Sequence, residues 1–239
     1  MAGYASFAAF YDAVQGDRAD DADYARSLLE RYHPDARSVL ELACGTGSIL
    51  ARLQPDYEVA GVDLSAEMLE VARAKLPGVE LVHADMTQIR LGRRFDAVLC
   101  VYDSINHLLR YAQWEAVFDR AREHLTEDGV FVFDVNTEAR LAQLAAAPPA
   151  VEWFAGNLLV LDVSDAGRGV VDWKLRVFEH AGGDSYRLHE ETIPETGFAA
   201  DRIHASLEER FRTVRVLDRS RSRPTARSGR LWFACRGPR

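Results

Sequence analysis

Three apolar runs in succession, each ending in glycine or a carboxylate, constrain this chain more than any other feature. The first, Val39-Leu40-Glu41-Leu42-Ala43-Cys44-Gly45-Thr46-Gly47-Ser48, is strand-like and passes through two glycines into a helical pattern at Ile49, Leu50 and Leu53. The second, Tyr57–Val62, ends in Asp63; the third, Val79–Val82, ends in His83-Ala84-Asp85-Met86. Glycine permits a sharp turn and lets backbone N–H groups approach a ligand with no Cβ in the way. Polar and glycine residues at the C-terminal ends of consecutive strands mark the edge where open α/β sheets bind ligands.

The alternation continues down the chain. Strands are expected at Ser38–Ala43, Tyr57–Asp63, Val79–His83, Phe95–Val101 and Val130–Val135. Helices are expected at Gly47–Leu53, Ala66–Leu76, around Trp114–Leu125 (closed near Asp128-Gly129) and at Thr137–Ala147. Such alternation predicts a doubly wound, mostly parallel sheet with helices on both faces. After Pro148-Pro149 the pattern changes. Leu158–Val163, Val170–Phe178 and Tyr186–Ile193 alternate apolar and polar residues, with Gly167, Gly169 and Gly182-Gly183 as turns, so an antiparallel β lid follows the fifth strand. A helix around Ala200–Arg210 and strands at Thr213–Leu217 and Arg230–Cys235 bring the main sheet to seven strands. Upstream, Tyr4–Tyr32 reads as one or two helices. Four segments are expected: a helical lid over 1–36, a core over 37–147, the β lid over 148–197, and a closing helix and strands over 198–239.

At 239 residues, 48% hydrophobic and 28% charged, the chain has an ordinary globular composition, and no run approaches a membrane span or a signal peptide. Cys44, Cys100 and Cys235 are odd in number and widely spaced, making neither a disulfide framework nor a metal site. They read as buried thiols in a reducing cytoplasm. The net charge of −8 argues against general nucleic-acid binding. Yet residues 210–239 carry ten arginines against one acid, Asp218, which leaves −17 over the rest. That segment is either a solvated edge or a patch for an anionic acceptor or partner.

Acid–x–Ala–x–Gly–x–Gly, an acid closing the second strand and Asp-Met after the third together resemble the class I S-adenosylmethionine (SAM)-dependent methyltransferases. Asp103-Ser104-Ile105-Asn106-His107, Tyr186-x-x-His189-Glu190 and Ser228-Gly229-Arg230-Leu231-Trp232-Phe233 are similar to a bacterial family of small-molecule methyltransferases. The general layout is also similar to amino-sugar N,N-dimethyltransferases. The resemblance implies a Rossmann-like fold and a methyl transfer to nitrogen or oxygen of a small acceptor. It implies SAM as cofactor, S-adenosylhomocysteine as product, and no metal. Implied cofactor contacts are Tyr11, Glu41, Ala43, Gly45, Gly47, Asp63, Leu64, Met68, Ala84, Asp85, Met86 and Val101. Asp63 would accept from the ribose hydroxyls and Asp85 from the adenine amino group. Leu64, Met68 and Met86 would sandwich the ring.

Tyr11, in Phe7-Ala8-Ala9-Phe10-Tyr11-Asp12, either reaches the site or packs in an aromatic stripe. His107 titrates near neutral pH and is the first candidate to manage a proton; Asp103 is the second. His107 stands where the bacterial family commonly has tyrosine. Strand geometry allows at most one of His189 and Glu190 to face the cleft. Trp153, Phe154, Trp173 and Phe178 are candidates for an acceptor wall or for lid core. Two other functions fit the same residues: methylation of tRNA or another nucleic acid through the arginine-rich segment, and SAM binding without turnover. The expected partner is a small molecule, and the chain is expected to be a monomer or homodimer with no membrane association.

Overall fold

The structure, a computed structural model, describes residues 7–16 and 19–239. The parts of the expected N-terminal helices at 4–6 and 17–18 lie outside the described residues. Strands β1 (Ser38–Leu42), β2 (Glu58–Asp63), β3 (Glu80–His83), β4 (Phe95–Cys100), β5 (Leu125–Asn136), β10 (Phe211–Leu217) and β11 (Arg230–Pro238) form one seven-stranded sheet. Its order is β10-β11-β5-β4-β1-β2-β3. β1 to β5 run parallel, while β11 inserts antiparallel between β5 and β10. The order reverses between β1 and β4, which opens a crevice at their C-terminal ends.

Alternate strand residues build two separate cores because successive side chains leave opposite faces of a sheet. Leu40, Leu42, Val98, Cys100, Phe131 and Phe133 pack under helices α5 (Tyr111–Glu123) and α7 (Ala200–Glu208), through Trp114, Phe118, Ile203 and Leu207. Val39, Ala97, Leu99, Val130 and Val132 face the other way, onto α2 (Ala19–Tyr32), α3 (Ser48–Leu53) and α4 (Ala66–Lys75). The first core is aromatic at its centre: Phe133 stacks on Phe131 and on Phe233, each pair with ring centroids 4.8 Å apart.

The second sheet, β6 (Ala150–Phe154), β7 (Asn157–Gly167), β8 (Val170–Gly182) and β9 (Ser185–Thr196), is antiparallel throughout and follows helix α6 (Glu138–Ala145). Its inner residues Phe154, Leu159, Leu175, Val177 and Ile193 bury Phe7 and pack against Phe10, Tyr11 and Val14 of α1 (Ala8–Gln15). Leu141 of α6 fills the other end against Val163 and Val171. So α1 lies between the lid and the core, whereas α2 belongs to the core itself.

Two elements differ from the sequence reading. The lid has four strands, because Ala150–Phe154 pairs along β7. Val151 and Trp153 on this edge are 63% and 64% exposed, so β6 lacks the one-sided burial that makes alternation visible. Helix α5 stops at Glu123, and Asp128-Gly129 lies inside β5, where the register with β4 shifts between Phe95 and Ala97. A turn-like dipeptide there marks a bulge instead of a helix end.

Gly61 on β2 shows how closely the glycine loop packs. A Cβ at this position would come within 2.7 Å of Cys44 Sγ, 2.8 Å of Leu50 Cδ1 and 2.9 Å of Leu81 Cδ2. Gly61→Ala is therefore expected to cost about 1–3 kcal/mol by overpacking. Urea unfolding monitored by circular dichroism checks this; an unchanged midpoint would mean that the neighbours give way freely.

Candidate active site

A single cleft of about 1420 Å³ runs along the C-terminal ends of the parallel strands, under α1 and the lid. Tyr11, Ala43, Gly45, Asp63, Leu64, Met68, Ala84, Asp85, Met86, Asp103 and His107 all line it. Glu41, Gly47 and Val101 stand behind that wall: Glu41 and Val101 are 3% and 2% exposed.

The two glycines of the first loop do different work. Both hold left-handed backbone, with φ of 54° at Gly45 and 73° at Gly47. A Cβ on Gly47 would lie 2.6 Å from Leu76 Cδ1, so that glycine lets α4 pack beneath the loop. A Cβ on Gly45 would meet nothing within 4 Å, so that glycine leaves its space to the cleft. Asp63 anchors the loop from β2, accepting the Gly45 N–H at 2.7 Å through Oδ2 and the Ser65 N–H at 2.8 Å through Oδ1. Burial pushes its carboxyl up, and these backbone donors oppose the shift. An ionised carboxylate holding two donors still has acceptor sites to offer. Asp85 is braced similarly, by the Thr87 N–H and hydroxyl at 2.8 Å and by Gln88 Nε2 at 3.1 Å. Behind the loop, Glu41 Oε2 is buried without a hydrogen-bond partner, and burial raises its carboxyl well above the usual range.

Further along, the chain leaves β4 through two consecutive left-handed residues, Tyr102 (φ 66°) and Asp103 (φ 50°). Neither is glycine, so the turn is strained and has to be held. Asp134, fully buried on β5, holds it by accepting the Tyr102 N–H at 2.5 Å and the Asp103 N–H at 3.3 Å. Arg230 on β11 then forks between two acids, donating to Asp103 and lying 3.1 Å from Asp134 Oδ2. Asn136 donates to Asp103 at 2.9 Å and to Glu195 of β9 at 3.4 Å. Asn106 ties β5 to the lid through the Asn136 and Thr196 carbonyls at 2.9 and 2.8 Å.

Two carboxyls thus share one guanidinium, and a third, Glu195, lies near enough to feel its charge. Burial pushes Asp103 up to about 7, with Arg230 pulling against it and Glu195 adding to it. Asp134 is likewise raised to about 7 by burial, against Arg230. Glu195 rises to about 7 by burial, partly offset by its hydrogen bonds to Asn136 and Asp103. Arg230 is driven up by Asp103 and Asp134 despite its own burial. His107 Nδ1 lies 3.9 Å from Glu195 Oε1. Burial lowers its pKa, against the Asp103 charge and a hydrogen bond to the Pro194 backbone, so the ring is neutral at pH 7.

Asp134, Asn136, Glu195 and Arg230 were not among the residues expected here. Asp134-Val135-Asn136 closes a parallel strand as Asp63 does, so the strand-end rule could have found it. Glu195 carries no local signal, and Arg230 stands in the Ser228–Phe233 motif without any sign that β11 brings it to Asp103 and Asp134. His189 and Glu190 do face opposite ways, and neither lines the cleft. His189 bonds Glu179 at 2.9 Å and Glu190 bonds Arg176 at 2.5 Å. Of the four aromatic candidates only Trp173 reaches the cleft wall, while Phe154 is lid core and Trp153 is exposed. Asp218, Arg219, Arg221 and Arg227 of the arginine-rich segment also line the cleft, with Arg140 of α6.

Residues 39–129 match the family described as a methyltransferase domain. The chain is 41% identical over 133 residues to the dTDP-3-amino-3,6-dideoxy-alpha-D-glucopyranose N,N-dimethyltransferase of Streptomyces fradiae. That match covers 53% of this chain and 52% of the relative, so the chain spans about half the relative's length. The crystal structure of Streptomyces venezuelae DesVI is similar over 98% of this chain and 97% of its own, at 26% identity and a TM-score of 0.82. The sugar N-methyltransferase KedS8 from Streptoalloteichus is similar over 99% and 94%, at 27% identity and a TM-score of 0.81. Domain match and whole-chain fold agree: the chain carries a methyltransferase-domain match over residues 39–129 and is similar along its length to solved methyltransferases.

Proposed function

We propose that this protein transfers a methyl group from SAM to a nitrogen of a small-molecule acceptor. The observation that carries the reading is one cleft with two unlike ends: the Gly45–Asp63 cradle, and the polar cluster around Asp103, His107 and Glu195. Its volume exceeds the roughly 300–1,000 Å³ of a common single-ligand pocket, enough for cofactor and acceptor side by side.

The residues fit the cofactor. Glu41 Oε2 is a buried acceptor with no partner, suited to the ammonium of the methionine portion. Gly45 leaves open space beside it, and Asp63 has acceptor sites left for the ribose hydroxyls. Asp85, Leu64, Met68, Ala84 and Met86 form the wall for the adenine, and Tyr11 reaches the cleft from α1. SAM supplies a methyl already activated by its sulfonium, so the reading calls on no metal. The chain's task is to align the acceptor, exclude water and handle one proton.

An amine enters largely as its ammonium and must lose a proton before its lone pair can attack. Asp103 and Glu195 are placed to hold the cation, and neutral His107 is placed to receive the proton. Nitrogen is favoured over oxygen because an acid-rich cluster suits a cationic group. The Streptomyces fradiae relative is named for an amino-sugar substrate, and KedS8 is a sugar N-methyltransferase. Arg140, Arg221 and Arg227, at the same cleft, would suit an anionic part of such an acceptor. Three free, buried cysteines suit a reducing cytoplasm. Among the described residues no helix is long and apolar enough to cross a membrane.

Calorimetric titration with SAM and S-adenosylhomocysteine tests the cofactor assignment. Micromolar binding is expected, weakened at least about tenfold in Asp63→Ala by loss of charge-assisted hydrogen bonds. A folded wild-type protein that binds neither would overturn the reading. Once an amine acceptor is found, His107→Ala is expected to lower kcat about a hundredfold with little change in SAM affinity. An unchanged kcat would leave His107 structural.

The raised carboxyls also fix a pH signature. Unfolded, they titrate near 4; folded, they titrate at about 7. Between those values the folded chain keeps protons that the unfolded chain has released, so stability falls as pH rises through the window. His107, lowered by burial, acts in the opposite sense on its acid side. The melting temperature of the ligand-free protein is expected to fall from about pH 5 to about pH 8, less steeply in Glu195→Gln. Over the same range kcat/KM should rise to a plateau above about pH 7, as the cluster gives up its protons. A rate independent of pH would contradict the proton-handling role.

A further inference from the structure

Asp12, next to Tyr11 on α1, turns away from the cleft and into the protein. Its Oδ1 accepts from Thr46 Oγ1 at 2.7 Å and from Ser48 Oγ at 3.1 Å. Its Oδ2 lies 2.6 Å from Lys75 Nζ, which also donates to Ser48 Oγ at 2.9 Å. Thr46 lies between Gly45 and Gly47 and is 1% exposed. One carboxylate therefore joins three elements: the helix over the cleft, the glycine loop with the start of α3, and the end of α4.

The rest of α1 looks the other way. Phe7, Phe10, Tyr11 and Val14 pack on the lid sheet, and Gln15 accepts from the Tyr102 hydroxyl at 2.9 Å. The helix is thus fastened to the lid by apolar contact and to the loop by a small charged cluster. Asp12 and Lys75 side chains are 42% and 29% exposed, so water competes for the bond. A partly solvated ion pair is strong enough to set a position and weak enough to open. Burial acts to raise the Asp12 carboxyl, but Lys75, Thr46 and Ser48 outweigh it and hold it below the usual range. Asp12 therefore stays ionised at neutral pH.

We propose that Asp12 is a positioning residue that latches α1 over the cofactor cleft, setting Tyr11 and the glycine loop together, and that the latch opens for the cofactor product to leave. The proposal rests on the reading that the cleft takes SAM. It explains why Asp12 lies outside the cleft wall while Tyr11, Val14 and Gln15 of the same helix line it. Fixing a covering helix and a binding loop through one contact makes ligand release depend on that contact.

The test is the dissociation rate of S-adenosylhomocysteine, followed by stopped-flow tryptophan fluorescence, for wild type, Asp12→Asn and Lys75→Met. Asp12→Asn is expected to release product about tenfold faster, with association within about twofold and the ligand-free melting temperature nearly unchanged. Lys75→Met should shift the same rate in the same direction, and it stands in if Asp12→Asn folds poorly. Added salt should speed release from wild type and have little effect on either variant. Variants that release product at the wild-type rate, while wild type binds normally, would overturn the latch alone. A melting temperature that falls in step with faster release would reduce Asp12 to a structural role. Wild type that binds no S-adenosylhomocysteine would remove the cofactor reading and the latch with it.

Discussion

One guanidinium among three buried carboxyls organises the end of the cleft that lies under the lid. Arg230 reaches Asp103 and Asp134, and Asp134 in turn holds the two left-handed residues that carry Asp103 into the cleft. Removing Arg230 leaves two buried carboxyls without their cation, a situation that costs several kcal/mol in other proteins. Local strain at Tyr102 and Asp103 is held by contacts from β5 and β11, so the strained turn and the central sheet stand or fall together.

The charge imbalance separates what stabilises the fold from what the cleft does. Arg230 supplies one positive charge to carboxyls that burial pushes up to about 7, so protonation eases the remainder. The cofactor end is built on another principle, with backbone N–H donors steadying Asp63 and Asp85 at two strand ends. Little there depends on net charge, and most of it depends on glycine geometry.

That difference explains how much the sequence disclosed. The Gly45–Asp63 half is local: strand, turn and helix follow within a few residues, so Gly45, Asp63, Asp85 and Met86 stand out as glycine and polar residues at strand ends and as parts of the motif that carries the resemblance. The parallel order was legible for the same reason, since each βα unit repeats one pattern. The acceptor half is assembled from β4, β5, β9 and β11, and no window of sequence contains more than a part of it. His107 and Asp103 were visible because they follow a strand end. Glu195 and Arg230 were not, since an acid in a lid strand or an arginine in an arginine-rich segment looks like solvated surface until the chain is folded. The edge strand β6 was missed for a related reason: a strand exposed on both faces leaves no periodic mark.

The position of β11 has a consequence for the order of events as the chain is made. Among the described residues it is the last strand in sequence, yet it lies inside the sheet, between β5 and β10. Until it inserts, Phe133 lacks its stacking partner Phe233, and Asp103 and Asp134 face one another without Arg230. A nascent chain can therefore complete its glycine loop early, from contiguous units, while its acceptor end waits for residues beyond 229. Cofactor affinity and catalytic competence would arise at different times during synthesis, and the interval is set by topology.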